Sequence, residues 1–143
     1  MSRAILHIVG ARPQFVKYFA VSNAIRAFAA AHTESINDVL AHTGQHYDYS
    51  MSKIFFDELG IKEPEYHLEV GSGTQGEQTA KVLQRFEETL LKAKPACVLV
   101  YGDTNSTLAG ARAGGGCTIA HVEAGLRSGD LTMPEERNRI EVD

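Results

Sequence analysis

Short runs of consecutive apolar residues alternate with segments whose apolar residues recur every three or four positions, and this alternation limits the fold more than any other feature. The runs have the length of β-strands buried on both faces, and the spacing between them is typical of amphipathic helices. Five runs are candidate strands: AILHIV (4–9), DVLAHTG (38–44), the weaker YHLEV (66–70), ACVLVYG (96–102) and CTIAHVEAG (117–125). Strands that alternate with helices predict an α/β fold, a Rossmann-like doubly wound parallel sheet of order 3-2-1-4-5.

The helices are predicted from apolar spacing and from proline. One helix follows GARPQ, a second follows the loop after strand two, a third covers 74–94 and stops before Pro95, and a short Ala-rich helix joins the last two strands. The residues that recur at helical spacing are Tyr18, Val21, Ile25, Phe28; Met51, Ile54, Phe55, Leu59; and Thr79, Leu83, Phe86, Leu90. A last helix begins at Pro134 but has room for only about two and a half turns. We therefore expect residues 1–143 to be one domain cut from a longer parent.

Size and charge restrict the partners. A chain of 143 residues with 43% apolar residues is long enough for one core. Its formal charge of −4 gives no overall attraction for nucleic acid or an anionic membrane, so we expect a small-molecule partner. No apolar stretch is long enough to span a membrane. Cys97 and Cys117 lie in apolar runs without a C-x-x-C pair, which predicts buried thiols in the cytoplasm.

The loop after strand one has the features of an anion site. In GARPQFVK, Gly10 allows a close backbone approach, and Pro13 is typical of a first helical turn. Arg12 and Lys17 add two cations near the N-terminus of that helix, where backbone N–H groups favour an anion. The motif matches neither a dinucleotide fingerprint nor a Walker sequence, so surface charge is an equal interpretation.

Acidic residues follow strands four and five. Asp103, in GDTNST, is either the N-cap of the next helix or an acid at the sheet edge, and Thr104 is an alternative cap. Glu123 follows strand five, so the two carboxylates are expected at one edge because neighbouring strands lie about 4.8 Å apart. Glu135 or Glu136 adds a third carboxylate at the start of the last helix. Three acids facing two cations indicate acid–base chemistry rather than a metal cage.

The histidines have mostly structural interpretations. His7 and His42 lie in predicted strands, and His121 shares the strand that leads to Glu123. His42 and His46 are four apart, but across a loop that would not keep them on one helical face, so no metal is predicted. His46, in GQHYD, is a candidate ligand contact.

Five ordered motifs resemble a known family. GARPQFVK, HTGQHYD, GDTNSTLAG, HVEAGLRSGD and MPEERNR occur in the order found in bacterial and archaeal non-hydrolysing UDP-N-acetylglucosamine 2-epimerases. The resemblance implies the N-terminal Rossmann-like domain of a glycosyltransferase-B type enzyme whose C-terminal nucleotide-binding domain is absent from this chain. It also implies a UDP-sugar partner, a homodimeric parent and no cofactor.

The resemblance also assigns roles. The family interconverts UDP-N-acetylglucosamine and UDP-N-acetylmannosamine, and Asp103, Glu123 and Glu135 match its acidic catalytic residues. Arg12 and Lys17 match its basic site residues near the phosphates, Arg139 is expected to be a further contact, and Gly10 and His46 are expected to bind substrate beside them. The residues alone do not show which carboxylate acts as the acid and which acts as the base. Two alternatives stay open: an epimerase of another UDP-2-acetamido sugar, and a UDP-sugar binding module without catalysis.

Overall fold

The computed structural model describes residues 2–44 and 49–143, and within these it contains five strands and five helices. The elements alternate along the chain as β1 (Arg3–Val9), α1 (Arg12–His32), β2 (Ile36–His42), α2 (Tyr49–Leu59), β3 (Tyr66–His67), α3 (Gln75–Ala93), β4 (Cys97–Tyr101), α4 (Asn105–Ala113), β5 (Thr118–Val122) and α5 (Pro134–Val142). All strand pairs are parallel, in the order β3-β2-β1-β4-β5. The predicted fold class and strand order are therefore confirmed.

The sheet has a separate apolar layer on each face, because successive side chains of a strand point to opposite sides. Leu6 and Ile8 of β1 pack with Val82 and Phe86 of α3 and with Ala109 of α4. Burial of each large apolar side chain of this kind contributes about 1.5–3 kcal/mol to folding.

The opposite layer is built around α1 and α2. Val9 of β1 packs with Phe15 and Tyr18 of α1 and with Phe56 of α2. Helices thus cover both faces, as a doubly wound sheet requires.

The apolar repeat of α1 is only partly buried. The buried residues of this helix all lie in its first half, and Phe28 is 52% exposed. A 21-residue helix is about 31 Å long, whereas a seven-residue strand spans about 23 Å. The last turns of α1 therefore run past the sheet and have no core to cover.

The apolar repeat of α2 and the two cysteines are also buried only in part. Ile54 of α2 is 56% exposed, and Phe56 is the buried residue instead. The side chains of Met51 and Phe55 lie outside the described part of the structure. Cys97 and Cys117 are only half-buried rather than buried as predicted, because Cys97 is the first residue of β4 and Cys117 immediately precedes β5.

β3 is shorter than the five residues predicted. Backbone hydrogen bonds continue beyond it, from Leu68 N to His42 O and from Val70 N to Thr43 O, each 2.8 Å long. Glu69 between them has a left-handed φ of 51°, which interrupts the extended strand. The segment therefore lies along β2 but is regular only over Tyr66–His67.

Candidate active site

The charged residues after β4 and β5 lie together because the two strands end in register. Tyr101 pairs with Val122, and Gly102 N donates to Val122 O over 3.1 Å. Asp103 and Glu123 follow within two residues of that pair. The carboxyl ends of parallel strands are where ligands bind in open α/β sheets, and this edge is therefore the candidate site.

Arg139 of α5 connects the two acidic segments. Its Nη2 lies 2.7 Å from Oδ2 of Asp103, and its Nη1 donates to the backbone carbonyl of Glu123 over 2.7 Å. Arg139 is only 9% exposed, so its planar guanidinium is held in one orientation by both contacts. The helix that follows β5 thus completes the edge.

Lys17 of α1 forms an ion pair with the carboxylate of Glu123. Both side chains are about one-third exposed, at 32% and 31%, and so remain accessible from solvent. Glu123 has a φ of 72°, a conformation that costs a non-glycine residue energy and that concentrates at functional sites. Each of the two acids therefore faces a cation, instead of lying against the other acid.

The structure decides between the two interpretations of Asp103. Thr104 is the N-cap of α4, and its side chain accepts from the backbone N–H of Thr107. The Asp103 carboxylate is consequently not needed for capping and contacts Arg139 instead. Asn138 of α5 donates to the backbone carbonyl of Asp103 over 3.0 Å, which fixes the same loop from the other side.

The predicted anion loop is packed more tightly than expected. A Cβ at Gly10 would lie 2.0 Å from Oγ1 of Thr43 and 2.6 Å from Oγ of Ser106, so the space beside Gly10 is filled by two hydroxyl side chains. The amides of Gly10 and Ala11 both donate to Oε1 of Gln14, over 2.7 and 2.9 Å. These amides are thus not open to an anion as predicted, because a side chain of α1 already accepts from both.

The remaining predicted residues have different placements. Arg12 is the exposed first residue of α1, at the same edge as Lys17. Glu135 is exposed in the first turn of α5. Within the described ranges, 2–44 and 49–143, it forms no hydrogen bond or ion pair. It lies four residues before Arg139, on the same face of the helix. His46 lies outside the described residues.

Glu136, the alternative to Glu135, has a structural role. It is 4% exposed, and its carboxylate accepts from the backbone N–H and the hydroxyl of Ser128. These hydrogen bonds, with the nearby Arg127 guanidinium, hold the pKa of Glu136 below its usual range despite burial. The carboxylate thereby ties the loop after β5 to α5.

A second ion-pair cluster lies behind the same loop. Asp143 accepts from Arg127 and from Gly125 N over 2.8 Å each, and it lies 2.5 Å from Nδ1 of His121. Burial raises the pKa of Asp143, but these hydrogen bonds outweigh it and hold the pKa at about 2. His121 Nε2 donates to the carbonyl of Gly102 over 2.6 Å. The cluster thereby fixes the backbone at Gly102 and Gly125, next to Asp103 and Glu123.

Sequence reasoning missed Gln14 and Asn138, and it did not predict that Glu136 is buried. Polar residues in the first turns of α1 and α5 resemble ordinary surface residues, and only their burial distinguishes them. In the part of the chain that the structure describes, no group of three His, Cys, Asp or Glu residues is arranged to hold a metal ion. Among the same residues, no helix has the length and apolar character needed to cross a bilayer.

An open parallel sheet with charged side chains at its carboxyl edge defines a Rossmann-like α/β domain of the glycosyltransferase-B type. The family model for UDP-N-acetylglucosamine 2-epimerase matches residues 29–143. The chain belongs to the UDP-N-acetylglucosamine 2-epimerase family.

Similar proteins support this membership. A UDP-N-acetylglucosamine 2-epimerase homolog of Methanococcus maripaludis is 58% identical over 97% of this chain. A UDP-2,3-diacetamido-2,3-dideoxy-D-glucuronate 2-epimerase of Pseudomonas aeruginosa is 52% identical over the same share. The crystal structure of Methanocaldococcus jannaschii UDP-GlcNAc 2-epimerase in complex with UDP-GlcNAc and UDP superposes with a TM-score of 0.82 and 47% identity over the whole chain. This chain spans 38% of the length of each of the three.

Proposed function

We propose that residues 1–143 form the N-terminal domain of an enzyme that interconverts UDP-N-acetylglucosamine and UDP-N-acetylmannosamine. One observation carries the proposal: Lys17 and Arg139 bring Glu123 and Asp103 to one sheet edge, with carboxylates and cations side by side. The similarity to 2-epimerases supports the choice of reaction, and the M. jannaschii relative, crystallised with UDP-GlcNAc and UDP, supports the choice of substrate.

The reaction needs both kinds of charge. A base removes the proton at carbon 2 of the sugar while the bond from carbon 1 to UDP breaks and its electron pair leaves with UDP. The resulting 2-acetamidoglucal accepts a proton on the opposite face of carbon 2 as UDP returns to carbon 1. Two faces must be served, so at least two proton-handling groups are required, and Asp103, Glu123 and Glu135 supply them.

The cations serve the leaving diphosphate. Negative charge grows on UDP as the bond to carbon 1 breaks, and positive groups fixed near it stabilise that transition state. Lys17 and Arg139 are held at the edge by their carboxylate partners, and Arg12 begins α1 beside them. Gly10 serves this site indirectly, by letting the loop before α1 lie close to Thr43 and Ser106.

The proposal is tested by deuterium uptake at carbon 2. The longer protein containing this chain is incubated with UDP-N-acetylglucosamine in D₂O, and the carbon-2 proton is followed by NMR. Asp103→Asn and Glu123→Gln each remove a proton-handling group, and we expect uptake to fall by about 10²–10⁴-fold. A matched control is Glu87→Gln, an exposed carboxylate on α3. Uptake at the unsubstituted rate in both site variants would refute the assignment.

A second candidate substrate has specific support. The chain is 52% identical to an epimerase of UDP-2,3-diacetamido-2,3-dideoxy-D-glucuronate, so another UDP-2-acetamido sugar is the alternative. Comparing kcat/KM of the longer protein for the two UDP-sugars decides between them. A chain that binds UDP-sugars but exchanges no proton would instead be a binding module.

The assembly and location of the parent are also proposals. We propose a cytoplasmic homodimer, as expected from the resemblance to the family. Cys97 and Cys117 are both free thiols, which agrees with a reducing compartment. Light scattering of the longer protein tests the dimer, since a monomeric mass would contradict it.

A further inference from the structure

The amide of the Gln14 side chain hydrogen-bonds both to the loop before Arg12 and to the segment around Asp103. Gln14 is 2% exposed, and both ends of its amide are bonded. Oε1 accepts from Gly10 N and Ala11 N, over 2.7 and 2.9 Å. Nε2 lies 2.8 Å from the carbonyl of Tyr101, 2.9 Å from Oγ1 of Thr104 and 3.2 Å from Oγ1 of Thr107.

The two ends hold different parts of the site. The acceptor end fixes the backbone immediately before Arg12, and Lys17 follows on the next turns of α1. The donor end fixes the last residue of β4 and the N-cap of α4, which enclose Asp103. The segments are about 90 residues apart in the chain, so local folding does not set their separation.

We propose that Gln14 is a positioning residue that sets the distance between the cation-bearing start of α1 and the loop that carries Asp103. The inference rests on the proposed epimerase function for its catalytic consequence, whereas its structural part concerns this chain alone. Lys17 reaches Glu123 only while α1 begins at this position relative to β4 and β5. A displacement of about 1 Å at such a site lowers turnover about a hundredfold.

A neutral amide is suited to this position. One end must accept from two N–H groups, and the other must face a carbonyl that can only accept. A carboxylate keeps the first set of bonds and can accept from the Thr104 hydroxyl, but it loses the bond to the Tyr101 carbonyl, and the Thr107 hydroxyl already donates to that carbonyl. A methionine of similar length loses both sets, and an asparagine keeps the amide but is one methylene too short to span the loops.

The test compares three substitutions in the longer protein. We expect Gln14→Met and Gln14→Asn to lower kcat about a hundredfold while KM for UDP-N-acetylglucosamine changes less than about threefold. Gln14→Glu is expected to restore part of kcat. The control Gln84→Met replaces an exposed glutamine of α3 and should leave both constants unchanged. All are measured at a temperature where circular dichroism shows a folded protein.

A purely structural role predicts a lower melting temperature with an unchanged kcat below it, and that result would overturn the inference. Should Gln14→Met not fold, Gln14→Asn supplies the same comparison. Should the unsubstituted protein not act on UDP-N-acetylglucosamine, the proposed function fails, and amide hydrogen exchange in this chain then decides the inference. Gly10 and Ala11 amides must exchange faster in Gln14→Met and Gln14→Asn than in Gln14→Glu, and equal rates would refute it.

Discussion

At the scale of single residues, the carboxylate of Asp38 accepts hydrogen bonds from side chains of the buried core. Nε2 of His7 donates to it over 2.5 Å, the hydroxyl of Ser22 donates to its other oxygen, and Arg26 lies 3.7 Å away. In the neutral ring, Nδ1 of His7 then accepts from the Tyr101 hydroxyl over 2.6 Å. Burial raises the pKa of Asp38, but the hydrogen bonds outweigh burial and leave it below its ordinary value of 3.8.

This pKa shift predicts a specific loss of stability in acid. A carboxylate whose pKa is lower in the folded state stabilises the fold above its unfolded pKa, so the contribution of Asp38 is complete above about pH 4. It is lost as the pH falls through the folded pKa. Asp38→Asn should lower the free energy of unfolding at neutral pH by about 1–3 kcal/mol and flatten the acid limb. Urea unfolding at several pH values measures both.

The matched control for this experiment is Asp57→Asn, an exposed carboxylate of α2. It should leave the pH profile unchanged. An Asp38→Asn protein as stable as the unsubstituted chain at neutral pH would show that the network does not contribute.

At the scale of elements, three segments pack closely around the position where a Cβ of Gly10 would lie. The loop after β1 contributes Gly10, the end of β2 contributes Thr43, and α4 contributes Ser106, whose hydroxyl donates to Thr43 over 2.9 Å. Since neither hydroxyl is at the end of a long side chain, little movement can relieve a clash. The distance between α1 and α4 therefore depends on Gly10 having no side chain.

Gly10→Ala is accordingly expected to destabilise the chain. Overpacking of this kind costs about 1–3 kcal/mol. Gly76→Ala is the control, since Gly76 lies in α3 with open space around its Cα and alanine favours helix by up to about 1 kcal/mol. Thermal unfolding of the two variants should shift in opposite directions. Equal midpoints would mean that the loop relaxes around the new methyl group.

At the scale of the whole molecule, the described residues supply one wall of the proposed site. The charged edge lies on the surface of a single sheet, and Lys17 and Glu123 are both partly exposed there. A ligand on an open edge buries less of its surface than one enclosed in a cleft, and enclosure is typical of small-molecule sites. The chain covers 38% of the length of its relatives, so the opposite wall is proposed to come from the rest of the parent.

The isolated chain should then fold without turning over substrate. We expect cooperative unfolding by urea, because both faces of the sheet are covered, together with no carbon-2 exchange and weaker UDP binding than in the longer protein. Calorimetric titration with UDP and the deuterium assay measure the two properties. Exchange by the isolated chain at the rate of the longer protein would contradict the requirement for a second wall.

Local signals predicted part of the fold accurately. The helix predicted over 74–94 is Gln75–Ala93, flanked by the N-cap Thr74 and the C-cap Lys94, because capping and the proline after it act within a few residues. β3 was predicted too long, since the left-handed φ of Glu69 has no signature in its side chain. The exposure of Phe28 depends on the length of the neighbouring sheet, which apolar spacing does not report.

The sequence predicts where the charged residues of the site lie, but not which side chains they contact. Parallel strands in register suffice to place Asp103 and Glu123 at one edge, and motif order suggested Arg139. Thr104 was one of two possible caps, and its hydrogen bond with Thr107 decides between them. The burial of Glu136 depends on its contacts with the loop after β5. The same is true of Gln14, whose five bonds reach two loops.

The Lys17–Glu123 ion pair joins residues 106 positions apart, and Arg139 reaches back 36 positions to Asp103. Neither pair can form in a partly folded chain that lacks β5 or α5. The two halves of the charged edge therefore depend on different segments, since Glu123 needs α1 and β5 in place, whereas Asp103 needs α5. A chain that has collapsed but not docked its final helix would hold Asp103 without its counter-ion while Glu123 keeps its own.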